Sequence, residues 1–167
     1  ECNYLIRDLV FYNSVLTAEE ILALNSGIIE TTVDMVSLWL FDEGYGTTVT
    51  DEVAGYIGTL SNCSWIESAG MLRLDPIHSG VLLEHEVAAQ TSITVSMYIK
   101  LDKTVAAFPT VFAQIKTTNN TWEEGYLETI NTIKPSIWYK LAFTYNNSTG
   151  ALTIYINDEE AATTILS

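Results

Sequence analysis

Positive charge is what this chain has least of: seven Lys and Arg stand against twenty-one Asp and Glu in 167 residues, a formal net charge of −14. Nucleic-acid binding draws its affinity from clustered cations that displace counterions around phosphate, so a surface this acidic excludes it and disfavours anionic lipid. Long apolar runs are missing too. Met35 to Phe41 is among the longest, far short of the roughly 18 residues a membrane span needs, so no membrane insertion is expected. Cysteine is limited to Cys2 and Cys63, with no CxxC spacing, which removes a zinc or thiol-redox centre and leaves either one disulfide or two thiols.

What is present fits a folded domain. Hydrophobic residues make up 48% and aromatics 11%, enough to build a core in a chain of this length. Only 17% of residues are charged, and Thr, Ser and Asn supply much of the polar surface, a balance common in extracellular β proteins. Candidate N-glycosylation sequons begin at Asn62, Asn119, Asn146 and Asn147. The expected location is extracellular or at the cell surface. A chain opening at Glu1 reads as a processed protein or a piece of a longer one.

Strand patterns run nearly throughout. Leu5–Tyr12, Val36–Phe41, Met71–Asp75, Val81–Glu84, Ile93–Leu101 and Thr110–Lys116 have strand length and are rich in β-branched or aromatic residues. Trp138–Tyr145 and Ala151–Asn157 flank a loop of Asn, Ser, Thr and Gly that tolerates positive φ, which predicts a hairpin. One helix is expected. Thr17-Ala18-Glu19-Glu20 is a capping box, followed by Ile21, Leu22 and Leu24 and a stop at Gly27. A helix of some eight residues is not stable alone and must dock on a sheet. Turn signals at short intervals predict an all-β, two-sheet antiparallel sandwich with one short helix.

Three stretches resemble the laminin-G-like or pentraxin-like jelly roll of the concanavalin A-like lectin and glucanase superfamily. Leu38-Trp39-Leu40-Phe41-Asp42-Glu43-Gly44-Tyr45-Gly46-Thr47-Thr48-Val49-Thr50-Asp51 is similar to the family's opening strand and loop. Ile93–Lys100 resembles its central strand, with Tyr98 where Trp is usual, and Trp138–Asn157 its late hairpin. The order of a fourth match is different. Leu5–Ile21 resembles the strand and helix that usually close the domain, yet here they come first. The resulting division is 1–24 as a terminal strand plus helix, 25–35 as connector and 36–167 as the jelly-roll body. Three arrangements fit: a circular permutant, a segment of a tandem array cut out of phase, or a subunit whose first strand completes a neighbour. A connector of about 12 residues can span about 40 Å, enough for closure or donation.

In the segment 1–24, Leu5, Leu9 and Phe11 are read as one face of a strand available for donation, with Ile6, Asp8, Val10 and Tyr12 on the other. The strand is expected beside Val36–Phe41, of its own chain or of a neighbour. A Cys2–Cys63 disulfide would accompany self-closure, and covalent links between subunits would accompany donation.

The resemblance also directs attention to catalysis, because glycosidases of this architecture carry carboxylates in an E-x-D-x-x-E pattern with acid and nucleophile about 5 Å apart. That pattern is absent. Glu84 and Glu86 read as a solvated strand end around His85, and Glu123, Glu124 and Glu128 as a polar loop. His78, His85 and Asp75 lack the tight ligand set of a zinc site. No cofactor is expected apart from calcium, which related domains bind and for which Asp42, Asp51 and Asp75 lie in or beside loops. Of the tryptophans, Trp39 and Trp138 sit in apolar strands and read as core, while Trp122 is the candidate exposed aromatic. The expected function is a non-enzymatic extracellular structural or adhesion subunit, joined to copies of itself or to tandem neighbours by strand donation through 1–24. The alternative is a carbohydrate-binding module that holds a glycan.

Overall fold

Runs of β-branched and aromatic residues become strands along the whole chain, and the turn residues between them decide where each one ends. A computed structural model describes residues 4–26, 34–66, 70–74, 80–82, 92–101, 111–114, 126–129 and 133–165. The strands are β1 Tyr4–Tyr12, β2 Met35–Trp39, β3 Thr48–Thr50, β4 Ile57–Ser61, β5 Cys63–Ile66, β6 Met71–Leu74 and β7 Gly80–Leu82. They continue with β8 Ile93–Leu101, β9 Val111–Gln114, β10 Tyr126–Thr129, β11 Trp138–Asn146, β12 Ala151–Ile156 and β13 Glu159–Ile165. A helix, α1, covers Ala18–Asn25. The large sheet runs β13-β12-β11-β8-β1-β6-β5, with β2 also paired to β1; β3-β4-β7 and β9-β10 form two smaller sheets. Among the described residues every strand pair is antiparallel and one short helix occurs, so the fold is an all-β sandwich.

The inner face of the large sheet is the apolar layer. Ile99, Leu101, Tyr139, Leu141, Leu152 and Ile154 pack at one end of it. Leu9, Trp39, Phe41 and Leu72 meet Val49, Leu60 and Val81 of the small sheet at the other. Trp39 and Ile154 are completely buried, while Met97 and Phe143 are half-buried at the edges of these clusters.

The first strand is an interior strand. β1 pairs with β8 along its length; on its other side Tyr4–Ile6 meet β6 and Leu9–Tyr12 meet β2. It therefore lies beside β2 of its own chain, and the slot that a donated strand would fill is occupied. At the junction between β6 and β2, Asp8 takes φ +51 and the register against β8 shifts between Arg7 and Val10. This bulge corrects the expected face assignment. An uninterrupted alternation places Leu5 with Leu9 and Phe11; the extra residue at Asp8 instead puts Leu5 and Arg7 with Val10 and Tyr12, and Ile6 with Leu9 and Phe11.

The outer face receives the helix. Thr17 Oγ1 accepts from Glu20 N at 3.3 Å and Glu20 Oε2 accepts from Thr17 N at 2.7 Å, the expected capping box. Leu16, Ile21 and Leu24 close over Val10, Tyr12, Met35 and Ala142. β8 ties down both ends: the buried Thr94 hydroxyl accepts from Leu16 N at 3.0 Å and donates to Ser14 O at 2.8 Å, and Tyr98 OH donates to Leu24 O at 3.2 Å. The helix ends at Ser26; Gly27, its expected stop, lies outside the described residues.

Short polar strands escaped the sequence reading. β3, β4 and β5 carry too few apolar residues to show a period, and positive φ at Asn62 makes the tight β4–β5 turn. β13 follows β12 at once, because Asn157 at φ +60 turns the chain directly out of it. In the expected late hairpin, Asn146 Oδ1 accepts from Ser148 N, Ser148 Oγ and Thr149 N, and Gly150 closes the loop at φ +72.

Asp51 pins the loop after β2. Its carboxylate accepts from Ser37 Oγ at 2.6 Å and from the backbone N–H groups of Leu38, Val53 and Ala54. Burial alone pushes its pKa up, but these four donors together hold it below the usual carboxylate value. Its contribution to stability is therefore present above about pH 4 and is lost as pH falls through the lowered value. Asp51→Ala should cost about 3 kcal/mol in urea denaturation at pH 7, and the loss relative to wild type should shrink near pH 2.

Candidate functional site

The bulge at Asp8 has a second effect: it turns Arg7 onto the outer face, beside the helix. In antiparallel sheets, directly opposed residues share a face. Arg73, Leu5, Lys100 and Trp138 form one such row, and Arg7, Tyr98 and Lys140 the next. Four of the seven basic residues in the chain, Arg7, Arg73, Lys100 and Lys140, are thus gathered on one face.

These cations are organised around two rings. The Arg7 guanidinium carbon lies 4.6 Å from the centre of the Tyr98 ring and 5.1 Å from that of Trp138. Lys140 Nζ stands 4.2 Å from the Tyr98 ring centre, and Lys100 Nζ 6.0 Å from that of Trp138. Because β8 runs between β1 and β11, Tyr98 stands between Arg7 and Lys140 in its row, held upright by its hydrogen bond to Leu24. Such contacts stabilise a cation by about 1–2 kcal/mol when water is excluded.

Lys140 is 1% exposed, and its ammonium has no hydrogen-bond partner among the described residues. Burial lowers its pKa to about 8, offset in part by the negative charge of Asp8 and reinforced by Arg7. Burial raises the pKa of Asp8, with Arg7 and Lys140 opposing the shift. Arg7 Nε lies 3.7 Å from Asp8 Oδ2, and its side chain remains 38% exposed. The backbone beneath is rigid: Asn157 Oδ1 accepts from Lys140 N, and Asn157 N donates to Lys140 O. Among the described residues cations exceed carboxylates on this face. It can hold an anion, and among the described residues it carries no paired carboxylates of the glycosidase kind.

The expected site residues are not in this cluster. Trp39 is core as expected, but Trp138 is half-buried on the outer face, where it carries Arg7. Trp65 is also half-buried, its indole N–H donating to Gly46 O at 2.8 Å. Of the calcium candidates, Asp42 is exposed and Asp51 is engaged by its loop. Among the described residues no three His, Cys, Asp or Glu come together. Asn62 and Asn147 are exposed in turns, whereas Asn146 is half-buried with its side chain tied into the hairpin loop. Cys63 is half-buried on β5, its Sγ donating to Ser61 O at 3.1 Å. Cys2, Asp75, His78, Glu84, His85, Glu86, Asn119, Trp122, Glu123 and Glu124 lie outside the described residues, as does the side chain of Glu128. Sequence reasoning missed the cluster because Arg7, Tyr98 and Lys140, neighbours in one row, are about ninety and about forty residues apart in the chain. The available signal was a charged residue inside an apolar strand, as Lys140 is in WYKLAF, in a chain with few cations to spend.

No family model, curated protein or solved structure matches the chain.

Lys140 provides a stability signature. Because its folded pKa of about 8 lies below the ordinary lysine value of 10.5, the unfolded chain binds the proton more readily. Stability contributed by this group therefore rises as pH climbs from about 8 toward 10. Lys140→Met should stabilise the fold by about 1–3 kcal/mol at pH 7 and abolish that rise, as read by urea denaturation at pH 7, 8.5 and 10.

Proposed function

We propose that the chain is a non-enzymatic, extracellular interaction module that holds an anionic partner on the outer face of its large sheet. The observation that carries this reading is the gathering of Arg7, Arg73, Lys100 and Lys140 on one face of a molecule with net charge −14. Like charges concentrated in this way repel one another, so their clustering is unfavourable unless something negative meets them. The lightly charged surface and the exposed sequon residues Asn62 and Asn147 support an extracellular setting. The resemblance to laminin-G-like and pentraxin-like jelly rolls, together with the antiparallel sandwich, supports a binding role over a catalytic one.

The structural-subunit reading draws on a different feature. Among the described residues β13 is an outer edge of the large sheet, with Ile165 66% exposed, and a sheet edge is a template for another strand. With β1 paired on both sides within its own sheet, β13 is the edge at which a further strand can add on this reading.

Immobilised acidic and neutral polysaccharides separate the two. The full chain should elute as a monomer, be retained on an acidic polymer and not on a neutral one, and leave the polymer's length unchanged. Arg7→Glu combined with Lys100→Glu should abolish retention without altering the far-UV spectrum. Retention equal in wild type and the double variant, or shortening of the polymer, overturns the proposal; heat-stable high-mass assemblies favour the structural subunit.

A further inference from the structure

Two exposed surfaces on opposite sides of the large sheet complement each other. The turn between β3 and β4, with the first residue of β4, reads Glu52-Val53-Ala54-Gly55-Tyr56-Ile57, and all six residues are exposed. Val53 is 48% exposed, Tyr56 45% and Ile57 55%, an apolar tip of the kind that marks an interaction surface. The tip is held in shape. Asp51 Oδ1 accepts from Val53 N and Ala54 N, Gly55 N donates to Asp51 O, and Asp51 N donates to Tyr56 O. A loop fixed in this way loses little conformational entropy on docking. Its surroundings are acidic. Glu52 lies within it, and Glu43 Oε1 accepts from the N–H of Thr50, the residue opposite Ile57.

The cationic face has the inverse make-up. Arg7, with 38% of its side chain open, stacks on Trp138, and Lys100 Nζ lies 6.0 Å from the centre of the same ring. Arg73 shares a row with Lys100 and Trp138, and Ile137, next to Trp138 in the chain, is 47% exposed. An apolar centre thus has cations around it. The 52–57 loop belongs to the small sheet, which packs on the inner face of the large one, whereas these cations stand on the outer face. Loop and face cannot meet within one chain.

We propose that the 52–57 loop of one copy docks on the Arg7, Arg73, Lys100 and Trp138 face of a second copy. This rests on the interaction-module reading and names the anionic partner as another molecule of the same chain. Complementarity selects that occupant: Glu43 and Glu52 match the cations at the rim, while Val53, Tyr56 and Ile57 match Trp138 and Ile137 at the centre. Each copy offers its loop to one neighbour and its face to another, so copies join head to tail. A contact of one loop is small and weak, and copies of net charge −14 repel at long range. Association therefore needs concentrated protein and screening salt, and the dilute chain is a monomer.

Sedimentation velocity and amide chemical shifts of the full chain, from about 10 µM to about 1 mM at about 0.15 M salt, provide the test. Sedimentation should quicken with concentration, and amides of the 52–57 loop should shift together with those of β1 and β8. Glu52→Ser with Ile57→Ser disables the loop; Arg7→Glu with Lys100→Glu disables the face. Each double variant alone should stay monomeric throughout. Their equimolar mixture should form a one-to-one complex and grow no further, because one chain supplies the intact face and the other the intact loop. The loop variant should keep full retention on the acidic polymer, which the face alone provides. Should Ile57→Ser unfold the chain, Val53→Ser at the tip takes its place. No concentration dependence in the wild type, association that survives in either double variant, or a mixture that stays monomeric overturns the proposal. If polymer retention still depends on Arg7 and Lys100 in that event, the interaction module stands; if it does not, both fall.

Discussion

A strand inside a sheet must satisfy its backbone donors and acceptors on both sides, and in this protein that constraint falls on the first strand of the chain. β1 has β8 along one side and β6 followed by β2 along the other. Leaving that slot vacant would expose two rows of buried N–H and C=O groups, each costing about 1–3 kcal/mol if unpaired. The large sheet therefore exists as one unit only when residues from the N-terminus and from the middle of the chain come together. The rest of the architecture follows from this closure: Trp39 and Leu9 meet in the inner layer, and α1 is delivered to the outer face above Val10 and Tyr12.

Closure also produces the cationic cluster. A strand whose neighbour changes midway from β6 to β2 needs an adjustment, and Asp8 supplies it as a left-handed bulge. Without the extra residue, alternation would direct Arg7 and Asp8 differently and Tyr98 would face Lys140 alone. With it, three strands place Arg7, Tyr98 and Lys140 in one row, and Tyr98 links that row to the end of the helix through Leu24. The burial that holds the pKa of Lys140 at about 8 is thus a consequence of how the sheet closes. Fold and site share one structural cause.

Features encoded within a few residues were legible in the sequence. The capping box at Thr17–Glu20, the β11–β12 hairpin with its Asn-rich loop, and the long runs of β1, β8 and β11 all depend on neighbours in the chain. The all-β antiparallel class followed from them. The faces of β1 did not, because a bulge responds to which strands lie alongside, and nothing in LIRDLVFY marks Asp8 as the residue that leaves the ladder. Trp138 was misread for a related reason: an apolar strand with both faces covered shows no alternation that separates the inner layer from the outer. The site was invisible for a third reason. Arg7, Tyr98 and Lys140 acquire meaning only through pairing across some ninety and forty residues, a separation that local patterning does not carry.

The central claim is that β1 closes its own sheet. Native-state hydrogen exchange on the full chain at two protein concentrations tests it most directly. The account predicts that the amides of Val10, Phe11 and Tyr12 exchange as slowly as those of β8 and β11, with protection independent of concentration. Fast exchange in β1 while β8 and β11 stay protected, or protection that grows with concentration, would contradict it.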